Sequence, residues 1–79
     1  MDQTLKAEAR ELDRQLGQRV RHAREAAKLT QGRLASSIGV TFQQIQKYER
    51  ATNRISCSTL LLVARALGCR ASALLGEDD

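Results

Sequence analysis

The stretch that most restricts this chain is residues 30–50, "TQGRLASSIGVTFQQIQKYER", which carries the punctuation of two short helices in immediate succession. Thr30 has the side chain of an N-cap, able to accept a hydrogen bond from the first helical turn. Leu34, Ala35 and Ile38 then recur at helical spacing. Gly39 supplies the left-handed residue that closes a helix. A new start follows at once. Thr41 and Gln44 are arranged T-x-x-Q, a capping box, and Val40 and Ile45 stand where a hydrophobic staple requires them. Both signals put the second N-cap on Thr41. Ala35 is small enough for the two helices to cross closely above the Gly39 turn.

The flanking segments are helical too. In residues 4–16, "TLKAEARELDRQL", Leu5, Ala9, Leu12 and Leu16 share a face, and Thr4 is the expected cap. Gly17 is expected to bend or split this helix from the next. The next runs to about Lys28 with Leu16, Val20, Ala23 and Ala27 inward. "RATNR" at 50–54 reads as a polar loop. A fourth helix is expected from near Ser56, with a staple pair in Ile55 and Leu60. Leu60, Val63, Ala64 and Leu67 form its inward set, and Gly68 ends it. A last short helix spans 70–75. The chain has no proline, is 3% aromatic, and lacks polar–apolar alternation, so the expected class is all-α. A single domain of 79 residues buries only about 60% of its unfolded surface and gains from dimerising.

Charge is unevenly distributed. Residues 19–54 hold eight basic groups against two acidic ones, a net of +6, while the rest of the chain holds five against seven. A basic middle between acidic ends fits a polyanionic partner, or an ordinary solvated surface. Cys57 and Cys69 bracket the fourth helix about 18 Å apart, too far for a disulfide, which needs Cα atoms within about 7 Å. They read as reduced thiols of a cytoplasmic protein. His22 reads as a surface residue. One histidine and two distant cysteines make no metal site, and no cofactor motif is present. Nor is there a signal peptide, a transmembrane run, or a nucleophile–base set that would suggest an enzyme.

Projecting the third helix at about 100° per residue divides it by chemistry. Phe42, Ile45, Tyr48 and Glu49 fall on the inner side. Gln43, Gln46, Lys47 and Arg50 fall on the outer side, a face of amides and cations with no acid. Glutamine can pair with adenine, and lysine or arginine with guanine, in the major groove. Glu49 is the exception, since an inward carboxylate is costly unless paired. Arg24, at the inner edge of the first helix, is its expected partner. That pair is either purely structural or also holds a guanidinium near a passing phosphate.

With "LTQGRLASSIGVTFQQIQKYERATNRIS" in view, the chain closely resembles the Cro and phage-repressor type of DNA-binding domain, the Xre-like helix-turn-helix transcription regulators. The similarity covers about residues 15–76. It implies a compact five-helix bundle whose recognition helix, residues 41–50, enters the major groove of double-stranded DNA. Carried over position by position, Phe42, Gln43, Gln46 and Lys47 are the expected base contacts, with Gln46 able to reach backbone instead. Arg24, Gln31, Thr41, Arg50, Asn53 and Arg54 are the expected backbone contacts. Arg24 and Glu49 match an ion pair that recurs in the family.

Three places depart from the family pattern. Phe42 replaces a polar residue and either touches a thymine methyl or folds back beside Ile45. Arg70 stands where a small polar cap is usual. Residues 1–14 form a helical extension before the DNA-binding domain (15–76), and residues 77–79 form an acidic tail. Domains of this type commonly bind as dimers, and Leu62, Leu74 and Leu75 are the candidate dimer surface, with the extension as its rival. The leading expectation is a sequence-specific bacterial or phage regulator acting as a homodimer, with no membrane association. Alternatives are an antitoxin that also binds a toxin, a protein-only bridging module, or the DNA-binding part of a longer chain with a further C-terminal domain.

Overall fold

A computed structural model describes residues 2–77, and these form five α-helices: α1 (Gln3–Ala26), α2 (Gln31–Ile38), α3 (Phe42–Glu49), α4 (Cys57–Leu67) and α5 (Ala71–Leu74). Of the acidic tail, only Glu77 lies within the described residues.

The caps form where the side chains ask for them. Thr30 Oγ1 accepts from the Arg33 N–H at 3.0 Å, and Thr41 Oγ1 from the Gln44 N–H at 3.2 Å. Ser56 Oγ accepts from the Thr59 N–H at 3.2 Å. Gly39 and Gly68 close α2 and α4 in the left-handed conformation, with φ of 76° and 69°. An L-residue with a Cβ would be strained there. Arg70 stands at the N-cap position of α5 but makes no side-chain cap bond, and α5 is correspondingly a single turn.

The first helix differs from expectation. It runs unbroken through Gly17, and its cap is Asp2, whose Oδ1 accepts from the Leu5 N–H at 2.9 Å, rather than Thr4. Gly17 is buried for another reason. A Cβ built there would lie 2.6 Å from the Tyr48 carbonyl oxygen and 2.7 Å from that of Glu49. The glycine lets the C-terminal turn of α3 rest directly on the α1 backbone. The helix also ends earlier than expected. Ala27, expected inward, is the exposed C-cap, and Lys28 takes a left-handed φ of 62°.

The core is drawn from all five helices: Val20 of α1, Leu34 and Ala35 of α2, Ile45 and Tyr48 of α3, Leu60, Val63 and Ala64 of α4, and Leu74 of α5. Helix α2 packs on α3 and α4, while α1 crosses α3 and meets α5. Leu74 is only 2% exposed. It is therefore a core residue and is removed from the candidate dimer surface; Leu62 and Leu75, at 44% and 47%, stay exposed. The buried residues of α1 all lie from Gly17 onward. At about 1.5 Å per residue, this helix accounts for most of the 38 Å long dimension of the molecule. Its first turns project beyond the core. No helix among the described residues is long and apolar enough to cross a membrane.

Candidate nucleic-acid interface

Helix α3 is anchored at its inner face and leaves a polar outer one. Ile45 is fully buried and Tyr48 nearly so, which fixes the rotation of the helix about its own axis. With that rotation set, Gln43, Lys47 and Arg50 are exposed and Gln46 is half-buried. Phe42 falls on the inner side of a helical projection, yet it is 47% exposed and lies outside the core cluster. It occupies the first position of the helix, at the edge of the core. Its exposure leaves apolar surface open to solvent, as a contact with a thymine methyl would need.

The carboxylate of Glu49 meets the guanidinium of Arg24 side-on. Arg24 Nε donates to Glu49 Oε2 at 2.6 Å, and Nη2 to Oε1 at 3.1 Å. The third guanidinium nitrogen, Nη1, donates to the Leu29 carbonyl at 2.8 Å. That carbonyl is brought within reach by the left-handed turn at Lys28, which folds Leu29 back so that its N–H bonds the Arg24 carbonyl at 3.1 Å. The pair is buried, with side chains 10% and 3% exposed. Its hydrogen bond to Glu49 holds the Arg24 pKa above the ordinary arginine value, so the charge is permanent. Breaking a buried pair by removing one partner is costly, because the other charge is left uncompensated.

A third residue joins them. Gln31 Nε2 donates to Glu49 Oε1 at 3.0 Å. One carboxylate therefore ties the end of α3 to α1 and to the first residue of α2. Gln31 stands at the positive end of the α2 dipole, where first-turn N–H groups lack helical partners. Arg24, in contrast, points its fork at Glu49 rather than solvent. The inward acid draws it in, and the residue as a whole is only 9% exposed.

Beside this network lies an open cleft of about 310 Å³, lined by Arg21, Arg24, Gln31, Gln46, Glu49 and Arg50. It faces three guanidiniums with one carboxylate, and Arg24 already neutralises that carboxylate. Arg21 was missed by sequence reasoning. Its place one turn before Arg24 on the same helix marks it in the sequence. Among the described residues it pairs with Glu25, at 3.5 Å between two exposed side chains, a geometry worth little in water. Asn53 and Arg54 are exposed in the loop after α3. Arg54 Nε donates to Asp13 Oδ2 at 3.2 Å, again in an exposed pair.

The arrangement matches known proteins. The helix-turn-helix family model matches residues 20–74. A protein of Rhodospirillum rubrum described as an uncharacterised transcriptional regulator in the ATPase CF(0) region is 59% identical over 56 residues, 71% of this chain and 52% of that protein. The chain thus spans about half the length of that relative. Among solved structures, the clp gene regulator ClgR of C. glutamicum superposes with a TM-score of 0.79 at 29% identity, covering 84% of this chain and 86% of that one. The P22 c2 repressor, determined in complex with a synthetic operator, gives 0.73 at 32% identity, covering 80% and 96%. With the two capped helices, the Gly39 turn and the family match in hand, this chain belongs to the helix-turn-helix transcription regulators of the Cro and phage-repressor type.

Proposed function

We propose that this chain binds double-stranded DNA in the cytoplasm as the reading part of a transcription regulator, with α3 in the major groove and two copies on a two-fold operator. The single observation that carries this role is the outer face of α3, where Gln43, Lys47 and Arg50 stand exposed with no acid on the same face, beside a cleft lined by three guanidiniums and one neutralised carboxylate. The P22 c2 repressor, of similar fold, has been seen on an operator, which supports the same use here.

Roles follow from geometry and chemistry. Gln43 and Lys47 are exposed and bear the groups that read base edges: an amide for adenine, an ammonium for guanine. The exposed ring of Phe42 is an apolar surface suited to a thymine methyl. Gln46, half-buried at the lip of the cleft, reaches either a base or the backbone. Arg21, Arg50, Asn53 and Arg54 supply phosphate contacts, as do the amide of Gln31 and the N-terminal end of α3 at Thr41. Such contacts set register and affinity but not sequence preference. Arg24 acts chiefly through Glu49, by holding Gln31 and the end of α3 in place.

The test is selection of binding sites from random duplexes, followed by titration of Lys47→Ala. The variant should lose about 1–3 kcal/mol on the selected site and relax preference at one or two base pairs. Equal loss on selected and random DNA would refute a reading role for Lys47. Failure to enrich any sequence would refute the function itself.

A further inference from the structure

The exposed leucines of α1 are not used by the DNA-facing surface. Leu12 is the most exposed large apolar residue among the described residues, at 63%, and Leu5 is 50% exposed. With Ala9 and Leu16 they recur at intervals of four, three and four residues, the a/d spacing of a two-stranded coiled coil. Leu5 and Leu12 occupy d and Ala9 occupies a, while Leu16, half-buried against the core, ends the strip at the next a. The strip does not stop at the helix. Leu12 and Leu16 border a shallow cleft of about 290 Å³ whose other wall includes Leu75, itself 47% exposed.

We propose that residues 3–16 of α1 are a pairing helix, which docks antiparallel on the same helix of a second copy of this chain. It deepens the dimeric reading above and rests on it. The flanking charges select the occupant and its direction. In the register set by the leucines, Lys6 and Asp13 fall at e, and Glu8 and Gln15 at g. A parallel pair would oppose Glu8 of each copy to Asp13 of the other, two like-charge contacts. An antiparallel pair opposes Lys6 to Asp13 twice, and Glu8 to Gln15 twice. Opposite charges at these flanks set partner choice and orientation. Asp13 already sits beside Arg54 at 3.2 Å, and that exposed pair leaves its carboxylate room for a second cation. Either direction of pairing gives the two-fold axis that a symmetric operator requires, so the charges decide the direction. Ala9, small at the centre, lets the two backbones approach.

Sedimentation equilibrium of the 79-residue chain over a concentration series tests this, with thermal melts of each variant to verify folding and titration of a single DNA half-site as a separate readout. The wild-type chain should dimerise. Leu12→Glu should weaken dimerisation by on the order of a hundredfold, because two leucines are lost per dimer. Leu62→Glu on α4 should leave it unchanged. Asp13→Lys should weaken it severalfold at low salt, and adding Lys6→Glu should restore it. Dimerisation of Leu12→Glu like the wild type, strengthening by Asp13→Lys, or loss with Leu62→Glu would each overturn the pairing. So would a wild-type chain that stays monomeric at every concentration. Half-site binding by such a monomer would leave the DNA-binding role standing, so the two readings fail separately.

Discussion

Replacing Gly17 by alanine sets two forces against each other. Gly17 lies in the interior of α1, where alanine is better than glycine by about 1 kcal/mol in helix propensity. On a solvated helix the substitution would therefore stabilise. Here the new Cβ would lie 2.6 Å and 2.7 Å from the Tyr48 and Glu49 carbonyl oxygens, and 3.1 Å from the Glu49 carbonyl carbon. All three are backbone atoms of α3, so no side chain can swing aside. Relief requires α1 and the end of α3 to separate by several tenths of an ångström. Forcing one extra methyl into a packed contact costs about 1–3 kcal/mol and sometimes more. Because two oxygens are struck together, the upper part of that range applies. After the propensity gain, the net expected loss is about 1–2 kcal/mol. In a domain of this size that corresponds to a fall in Tm of roughly 4–16 °C, at about 4–8 °C per kcal/mol. Operator affinity should fall as well, because Glu49 and its partners sit at the displaced joint. Circular-dichroism melts of the two proteins measure the first effect. A variant with a raised Tm would show that propensity outweighs contact, and would refute the reason given for the glycine.

Other outcomes follow from the same geometry. Arg24→Met should cost about 3–5 kcal/mol in urea unfolding, since it strands a buried carboxylate. Arg24→Met with Glu49→Leu should recover most of that stability, yet still bind operator weakly because Gln31 has lost its anchor. Full recovery of both would make the pair purely structural. Hydrogen bonds from Arg14 and then Gln15 hold the exposed Glu11 carboxyl at a pKa of about 2, below its ordinary 4.5. The folded value is the lower one, so this contribution to α1 is complete above pH 4.5 and is lost as the pH falls toward 2. Helical signal should decline across that window, and Glu11→Gln should remove this part of the decline. Finally, log affinity should fall with log salt at a slope of about −0.9 for each phosphate neutralised. Arg21→Ala should reduce the slope by about one such unit, whereas Gln43→Ala should leave it nearly unchanged.

Sequence by itself determined the parts governed by chain neighbours. Thr30, Thr41 and Ser56 cap N–H groups three residues ahead, and Gly39 and Gly68 close helices through their own backbone angles, so these boundaries are legible without a fold. The inward set of α4 and the acid-free face of α3 follow from helical period alone. The inward carboxylate of Glu49 was legible as a demand for a cation, and Arg24 as the cation within reach. What period could not say is where the core ends. Phe42 projects inward yet stands at that edge and is exposed. Leu74 belongs to a one-turn helix too short to have a readable face, and is buried. Ala27 lies on the inner stripe but falls where the helix stops. Gly17 reads as a break in any local scheme. Only the approach of α3 to within a backbone contact makes it the one residue that fits. The cleft that joins Arg21 to Arg50 is likewise a product of three helices meeting. Capping and amphipathicity act over three or four residues, whereas close approach and clefts depend on atoms brought together from some thirty positions away along the chain.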